Sequence, residues 1–517
     1  MVAYKDANRL VKKDDFIHLA ILLTITLIIG SYLIITTVLI SKDGVSYINY
    51  AKGLSVEPLK IIRDPSGYAP SSYTPGYPFL ILMTHKFVDL FDKGASVSSW
   101  TYSAQATALI CRVLALIPLY FIGRRVVGGK LSFWAILILV ILPYPAKIGS
   151  DVLRDWPHML FLAVGFLFLL RAARYGKWLM FTLAGIVAGL GYMVRPMCAQ
   201  LVAYGVVWVI YSIFRRKYEY GINRANLVCG LALLIAGFAV VAVPYMKIRA
   251  EILPQRLREV IKPFSLNPKQ NKVQQQHYPA PANFGCNAGL LTGKDNIINA
   301  FAMLVRRINE NLMYYFALPL LIGIYYHFRK KPRDESTFFI ILFSLANIAM
   351  PVVRYCCAGP ALSRRYILPL TAFTIFFVPS GLHTMGRKLA GMLAIREKRN
   401  VSSQENPSRC FFVLLVIGLA ICIPKLSRPI QIEKKGYRLA AEWLKENTAK
   451  EDIIAAPDKR ISFYAERKDI EKPDKMAKYV VKEMKDQEPS PAEMTEKWSC
   501  YLNNKKKKAK IVIYQRI

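Results

Sequence analysis

The chain has 517 residues, of which 54% are hydrophobic, and its mean hydropathy is +0.27. Its 70 Lys and Arg residues outnumber 34 Asp and Glu, which gives a formal net charge of +36. The apolar fraction excludes a disordered or collagen-like chain, and 9 Cys over this length exclude a disulfide scaffold. Residues 16–40 form a run of 25 residues without Asp, Glu, Lys or Arg. Because about 20 apolar residues cross a bilayer, the sequence predicts an integral membrane protein.

Further apolar runs along the chain predict eleven membrane-spanning helices in total. The stretch 178–214 is too long for one crossing, and Arg195-Pro196 in its middle supplies a charge and a helix breaker, so we divide it into two spans. The predicted spans are 16–40, 104–123, 131–146, 156–170, 178–194, 197–214, 226–246, 311–328, 337–353, 366–383 and 410–424.

Basic residues fall mainly on one side of these spans. With the amino terminus in the cytoplasm, the cytoplasmic segments hold 24 Lys and Arg residues and the short outer loops hold 6. By the positive-inside rule this bias predicts a cytoplasmic amino terminus, and eleven crossings then place the carboxyl terminus outside. The first apolar run is longer than that of a signal peptide, and no small-x-small site precedes Lys42. We therefore expect a multi-pass protein of the cell (inner) membrane whose first span is retained.

The predicted fold is a polytopic α-helical membrane protein with a small extracytoplasmic domain. Residues 1–424 form the predicted transmembrane domain, and residues 425–517 form the predicted carboxyl-terminal domain. In the latter, residues 436–446 have helical periodicity, whereas residues 452–456 and 510–514 have the composition of strands. We therefore expect the carboxyl-terminal domain to be α/β.

Two other outer segments, residues 41–103 and 247–310, are too long to be simple connections. The length and position of the second make residues 268–284 a candidate gate for an acceptor. The basic run Lys505–Lys508 could suggest a nucleic-acid partner. On the outer side of a membrane, a solvated surface or one that faces lipid headgroups explains such a run better, so we expect no nucleic acid.

The segment after the first predicted span begins with a carboxylate at the outer membrane surface, Asp43. Val45, Ile48, Ala51 and Leu54 follow at helical spacing, and this apolar stripe predicts a helix that lies along the interface.

Two further outer motifs come later in the chain. Tyr73-Thr-Pro-Gly-Tyr-Pro78 predicts a rigid turn that leads into a short apolar helix. Gly149-Ser-Asp-Val-Leu-Arg-Asp-Trp-Pro157 places Asp151 and Asp155 on the same membrane face as Asp43. The sequence therefore predicts three carboxylates on one side of the membrane.

Together these motifs resemble the C-type integral-membrane glycosyltransferases, in particular the bacterial relatives of protein O-mannosyltransferases and of the lipid A aminoarabinose transferase. The similarity covers roughly residues 10–465. The motifs that carry it are Asp43 with Tyr47, the Tyr73–Pro78 turn, the second-span segment Cys111–Arg125, the acidic loop 149–157, Ser363-Arg-Arg-Tyr-Ile-Leu-Pro369 and the Tyr437–Asn447 and Ile461–Ala465 segments.

The resemblance implies transfer of a sugar from a polyprenyl-phosphate carrier to a lipid, glycan or protein acceptor on the outer face, with inversion at the anomeric carbon. An acceptor hydroxyl must lose its proton as it attacks, and a positioned carboxylate can take that proton. Asp43 matches the family's first-loop acidic position and is the predicted general base. Asp155 is the second catalytic candidate.

The leaving phosphate needs cations rather than a proton, and arginine donors suit it. The predicted substrate-binding residues are Asp151, Arg195, Arg364, Arg365, Tyr366 and Tyr47. The aminoarabinose-transferase branch has a Glu-Lys pair ahead of a Pro-Pro turn, where this chain has Ser72-Tyr73 and then Thr74. We therefore assign no metal and no other cofactor.

Each candidate also has a structural alternative. Asp43 and Asp155 precede helical segments and could be helix caps. Arg195 could snorkel to the interface, and the pair 364–365 could anchor a loop. Arg112 lies inside the second span, where an unpaired charge costs at least about 2.5 kcal/mol, so a packing role is favoured.

Two other classes of function fit the same number of spans. A transporter or lipid flippase would be expected to show related halves and broken mid-membrane helices. This sequence has no internal repeat and gathers its candidate polar residues at one face. The other class is an inactive membrane scaffold whose outer domain binds partners.

Overall fold

The computed structural model describes residues 12–91, 96–214, 224–250, 294–330, 334–358, 362–396, 407–470, 477–485, 494–503 and 509–516. The candidate gate at 268–284 and the basic run at 505–508 lie outside the described residues.

The protein is a polytopic α-helical membrane protein with a small sheet near its carboxyl end. Helices α1 to α9 are Lys13–Ile35, Lys42–Val56, Pro58–Arg63, Gly76–Asp89, Val97–Val127, Gly129–Ile141, Pro143–Ile148, Asp155–Tyr175 and Trp178–Val194. Helices α10 to α19 are Gln200–Phe214, Arg224–Arg249, Lys294–Asn311, Ala317–Lys330, Glu335–Ala358, Leu368–Thr374, Val378–Arg396, Pro407–Leu426, Lys435–Asn447 and Lys459–Ala465. Strands β1 to β5 are Ile453–Ala455, Lys468–Asp469, Tyr479–Lys485, Met494–Tyr501 and Ala509–Arg516.

Within the described residues, 8 helical stretches are long and apolar enough to cross a membrane. They are α1, α5, α8, α11, most of α14 and of α17, and the composite stretches Pro196–Phe214 and Arg364–Met392. Helices α6 and α9 are apolar but shorter. The count of eleven spans stays a prediction.

The predicted division of residues 178–214 is confirmed. Helix α9 ends at Val194, Arg195 is extended with φ −154° and ψ 122°, and a 3₁₀ turn begins at Pro196. The proline ring disfavours the helical conformation at the preceding residue, and the break lies where the sequence indicates it.

The chain packs as two compact units. Unit 1 comprises Met1–Thr26, Arg112–Ala146 and Pro157–Leu426. Unit 2 comprises Leu27–Cys111, Lys147–Trp156 and Ser427–Ile517. Unit 2 thus joins the two predicted outer motif regions to the carboxyl-terminal region, whereas the predicted domain boundary after residue 424 stays a prediction.

Glycines permit a close helix contact inside unit 1. A Cβ atom at Gly323 of α13 would lie 1.9 Å from the Phe377 carbonyl oxygen. A Cβ atom at Gly381 of α16 would lie 1.8 Å from the Pro319 carbonyl oxygen. Small residues at membrane-helix interfaces let backbones approach in this way, so these two positions set the distance between α13 and α16.

The carboxyl-terminal part of unit 2 is α/β, as predicted. Its sheet has the order β2-β1-β3-β5-β4, with β1 parallel to β2 and β3 and with β5 antiparallel to β3 and β4. The predicted helix at 436–446 is α18, and the two predicted strands are β1 and β5. Leu39, from the segment between α1 and α2, is fully buried in the same core as Leu444, Ile454 and Ile513.

A buried ion pair links this domain to the start of α2. Arg460 and Asp458 are 2% and 6% exposed, and two guanidinium nitrogens donate to the two carboxylate oxygens, each at 2.8 Å. Arg460 also donates to the Ile40 carbonyl at 3.4 Å. Burial raises the pKa of the Asp458 carboxyl, but the hydrogen bonds and the charge of Arg460 outweigh this effect and hold it below its usual range.

We expect Asp458→Asn to destabilise the protein by about 3–5 kcal/mol, because it leaves the Arg460 charge buried without its counter-ion. A carboxyl with a lowered folded-state pKa stabilises above its unfolded pKa of about 3.9, and this contribution is lost as the pH falls through the lower folded value. Unfolding in detergent from pH 7 to pH 3 measures both effects. Glu442→Gln removes the exposed Glu442–Arg438 pair and is the control, with an expected change within about 1 kcal/mol.

Candidate functional site

The amino end of α2 presents the first predicted carboxylate. Ser41 is the N-cap of this helix, and its hydroxyl accepts a hydrogen bond from the Gly44 N–H at 3.2 Å. Asp43 lies in the first turn and is partly exposed. The cap belongs to Ser41, so the helix-cap interpretation of Asp43 is wrong.

Asp151 holds this helix start in place. It is 4% exposed, and its Oδ1 accepts hydrogen bonds from the Ser41 N–H at 2.9 Å and from the Val152 N–H at 2.7 Å. The Ser41 hydroxyl in turn donates to the Val152 carbonyl at 3.0 Å. Asp151 therefore connects the loop before α8 to the turn that carries Asp43, and its contact with substrate stays a prediction.

Asp43 belongs to a group that we call the carboxylate cluster: Asp43, Tyr47, Tyr73 and Arg154. The Tyr47 and Tyr73 rings stack with centroids 4.7 Å apart and an interplanar angle of 24°. The Tyr73 side chain is hydrogen-bonded to the Asp43 carboxylate. Burial raises the pKa of Tyr73 well above its usual value, and Tyr47 and Asp43 act in the same direction. Tyr73 is therefore protonated at neutral pH and donates its hydrogen to Asp43.

Arg154 supplies the positive charge of the carboxylate cluster. Its guanidinium carbon lies 5.4 Å from the Tyr73 ring centroid and 6.0 Å from that of Tyr47. Its Nη1 is buried and has no hydrogen-bond partner among the described residues. A buried donor without an acceptor is costly, so this atom is suited to an anionic group supplied by a ligand.

Asp155 lies close to the same cluster. It is 5% exposed and forms the first residue of α8, where a negative charge is favourable near the helix amino end. Tyr77 makes an edge contact with Tyr47 at 5.1 Å. Burial raises the pKa of Tyr77, and the charges of Asp151 and Asp155 act in the same direction. Unit 2 thus brings together all three predicted carboxylates and Tyr47, while the catalytic role of Asp155 stays a prediction.

Unit 1 holds the predicted cations beside tyrosine rings. Arg195, which is 7% exposed, and Arg354 lie 5.3 and 4.3 Å from the Tyr366 ring centroid. Tyr144 has Arg364 at 4.0 Å and Lys425 at 4.3 Å from its ring centroid.

Arg364 and Arg365 differ in their other polar contacts. Arg364 is also 3.6 Å from Glu310, which pairs with Arg307 at 2.7 Å. The Arg365 N–H donates to the Ser363 hydroxyl at 3.5 Å. Arg195 and Tyr366 are therefore brought together, and Arg364 contacts a carboxylate as well as a ring.

Arg112 has the packing role that the sequence favours. It is fully buried and donates to the Val140 carbonyl at 2.8 Å and to the Ala146 carbonyl at 3.5 Å. Val140 lies in the last turn of α6 and Ala146 lies in α7. This arginine therefore satisfies backbone acceptors inside unit 1.

Two residues of interest were absent from the predicted site. Arg154 lies inside the 149–157 motif, and a cation between two acidic residues of one outer loop is a signal that could have identified it. Lys52 of α2 gave no such signal, because its surroundings come from distant parts of the chain. No group of three His, Cys, Asp or Glu side chains in the described part of the chain is arranged to hold a metal ion.

Comparisons with known proteins agree with this architecture. Residues 78–243 match the family model described as dolichyl-phosphate-mannose-protein mannosyltransferase. The apo structure of ArnT from Cupriavidus metallidurans has a TM-score of 0.57 at 11% identity, over 96% of this chain and 97% of that chain. The same enzyme bound to undecaprenyl phosphate has a TM-score of 0.51 at 11% identity, with the same coverage.

A second solved structure is the oligosaccharyltransferase AglB from Archaeoglobus fulgidus, in complex with an inhibitory peptide and a dolichol-phosphate. Its TM-score is 0.53 at 12% identity, over 90% of this chain and 69% of that chain. No curated protein sequence matches the chain. The chain therefore shares its fold with the ArnT and AglB structures, and its residues 78–243 are similar to the dolichyl-phosphate-mannose-protein mannosyltransferase family.

Proposed function

We propose that this protein transfers a sugar from a polyprenyl-phosphate carrier to a hydroxyl acceptor on the outer face of the membrane. The acceptor is a lipid, a glycan or a protein, and the amino terminus is cytoplasmic. The observation that carries the proposal is the carboxylate cluster, in which Asp43 accepts from Tyr73 beside the Arg154 guanidinium, whose Nη1 is buried. The lipid phosphates in the ArnT and AglB structures support a donor of this class.

Asp43 is the general base in this proposal. The acceptor oxygen attacks the anomeric carbon, the bond from that carbon to the phosphate oxygen breaks, and the electron pair leaves with the phosphate. The acceptor's proton passes to Asp43. Attack opposite the leaving group inverts the anomeric centre, and the hydrogen bond from Tyr73 fixes the orientation of the carboxylate.

Arg154 stabilises the negative charge on the phosphate in this proposal. A polyprenyl phosphate needs no general acid to leave, because the phosphate oxygen that takes up the electron pair is stable in water as an anion. The Arg154 guanidinium lies beside the stacked Tyr47 and Tyr73 rings, and its unsatisfied Nη1 supplies a donor for a phosphate oxygen.

The cations of unit 1 are proposed to contact the lipid carrier. Arg195, which is buried, and Arg354 face one tyrosine ring. Arg364 and Arg365 are the other predicted carrier-binding cations of this unit. Arg364 lies 3.6 Å from Glu310, which offsets part of its charge.

A transfer assay tests the function. The purified protein in nanodiscs is supplied with polyprenyl-phosphate-linked hexoses and pentoses and with lipid, glycan and peptide acceptors. We expect a glycosylated acceptor of inverted anomeric configuration. Movement of the carrier between leaflets without transfer would instead indicate a flippase. The absence of both activities would indicate a scaffold.

Arg154→Gln is expected to lower the turnover number by about 10²–10³-fold, because one donor to the developing phosphate charge is lost. Donor titrations separate the effects on kcat and KM. Arg63→Gln changes an exposed arginine at the end of α3 in the same unit and should leave both constants unchanged. Wild-type kinetics in Arg154→Gln would exclude Arg154 from the phosphate role.

A further inference from the structure

A cavity of about 430 Å³ lies within unit 2, apart from the residues of the carboxylate cluster. Its walls come from α2, from the first turn of α5 and from the segment of α19 and β2. This volume falls within the range of about 300–1,000 Å³ that is usual for small-molecule sites. Asn49 and Lys52 contribute the α2 wall, and Ser462, Phe463 and Asp469 contribute to the opposite wall.

The cavity wall holds three cations and two carboxylates, and most of these charges are already engaged. Asp469 accepts from the Ser462 hydroxyl at 3.1 Å and Glu466 pairs with Lys445. Arg467 donates to backbone carbonyls, among them that of Thr448 at 2.7 Å. The remaining cations of the wall are Lys459, which donates to the Ser46 hydroxyl, and Lys52.

Lys52 differs from these residues. Its ammonium lies over the rings of Trp100 and Phe463, 5.6 and 5.7 Å from their centroids, and it makes no hydrogen bond to any described residue. Burial lowers the pKa of Lys52, and the Glu466 charge opposes that effect. An anion in the cavity would replace part of the hydration that the ammonium has lost.

Asn49 lies one turn before Lys52 on the same helix and also lines the cavity. Its amide makes no hydrogen bond to any described side chain or backbone group. An amide on the α2 wall and a hydroxyl and an aromatic ring on the α19 wall suit a ligand that has both hydroxyl groups and an apolar face, as a sugar ring has. Lys52 is nine residues beyond Asp43, which corresponds to about 13 Å along α2.

We propose that this cavity is a subsite for a saccharide that carries an anionic group, with Lys52 binding the anion and Asn49 a hydroxyl. The inference rests on the proposed function, since it makes the anionic saccharide part of the acceptor and places it on the helix that carries the general base. The anionic group is a phosphate or a carboxylate, and the experiment distinguishes these two.

The test is equilibrium dialysis with the full chain in phosphatidylcholine nanodiscs, without donor. The probes are mannose, mannose 6-phosphate, glucuronate and inorganic phosphate. We expect one anionic sugar to bind at least about tenfold more tightly than mannose and than inorganic phosphate, as a charge-assisted hydrogen bond predicts. Preference for mannose 6-phosphate or for glucuronate identifies the group. Equal binding of mannose, or of inorganic phosphate alone, would overturn the proposal.

Two variants assign the effect to the cavity. Lys52→Met keeps the apolar stem and should weaken binding of the preferred anionic sugar about tenfold or more, whereas mannose binding should change less than about twofold. Lys60→Met alters an exposed lysine that pairs with Glu57 and is the matched control. Asn49→Asp adds a negative charge without removing a hydrogen bond and should weaken the anionic probe to a similar degree. Unchanged binding in both cavity variants would contradict the proposal.

These results are separable from the proposed function. Asp43→Asn should bind the anionic sugar as the wild type does, because Asp43 is not part of the cavity wall. Sugar transfer without selective binding of an anion would reject the subsite alone. Selective binding in a protein that transfers no sugar would reject the proposed function and leave the cavity assignment in place.

Discussion

Asp43→Asn is expected to lower the turnover number for sugar transfer by about 10²–10⁴-fold, which is the usual contribution of a general base. Asparagine has nearly the same shape as aspartate, and Ser41 still caps α2, so the helix start should persist. The amide cannot accept the acceptor's proton. Steady-state kinetics with saturating donor measures the loss, and donor binding by dialysis should change little.

The matched control is Glu57→Gln, which changes a carboxylate at the other end of α2. Glu57 forms an exposed pair with Lys60 at 2.8 Å, and exposed pairs contribute about 0–1 kcal/mol. We expect wild-type turnover from this variant. Full activity in Asp43→Asn would remove Asp43 from the base role and would direct attention to Asp155.

Gly381→Ala is expected to destabilise unit 1 severely. The new methyl group would lie 1.8 Å from the Pro319 carbonyl oxygen, so α13 and α16 would have to separate. Overpacking of this kind costs about 1–3 kcal/mol and sometimes more, and a clash with backbone leaves no flexible side chain to yield. We expect the upper end of that range, measured as a fall in the unfolding temperature in detergent. Gly323→Ala should act in the same way.

Gly391→Ala lies on the same helix and provides the control. Among the described residues, no atom outside its own stretch of helix lies within 4 Å of the position that its Cβ would take. Because alanine is a better helix former than glycine, this variant should be as stable as the wild type or more stable by about 0.5–1 kcal/mol. Equal losses at Gly381 and Gly391 would show that helix propensity, not close packing, determines the result.

Local patterns of sequence predicted much of the architecture. The break at Arg195-Pro196 follows from the proline ring, and the helix after Asp43 follows from apolar spacing that α2 reproduces. Its position along the membrane interface stays a prediction. The helix α18 and strands β1 and β5 were found in the same way. Such features depend on neighbours within one or two turns, which a single sequence displays.

The candidate site was predicted only in part, because its contacts join distant residues. The sequence placed Asp43, Asp151 and Asp155 on one face, yet it did not distinguish the backbone-binding role of Asp151 from a contact with substrate. The Arg154 guanidinium and the Lys52 ammonium owe their settings to rings from other segments. No local pattern encodes those distances. The need for a metal, the orientation of the termini and the identity of the sugar stay predictions.

The hydrogen bond from Arg460 to the Ile40 carbonyl joins residues 420 positions apart, and it lies just before the turn that carries Asp43. During synthesis the α2 segment leaves the ribosome long before its partners in the carboxyl-terminal domain. The residues that surround Leu39 in the folded core have then not yet been synthesised. Contacts of such long range form late and slowly. The proposed sugar transfer should therefore begin only after that domain has folded, so a newly inserted chain should not yet turn over donor.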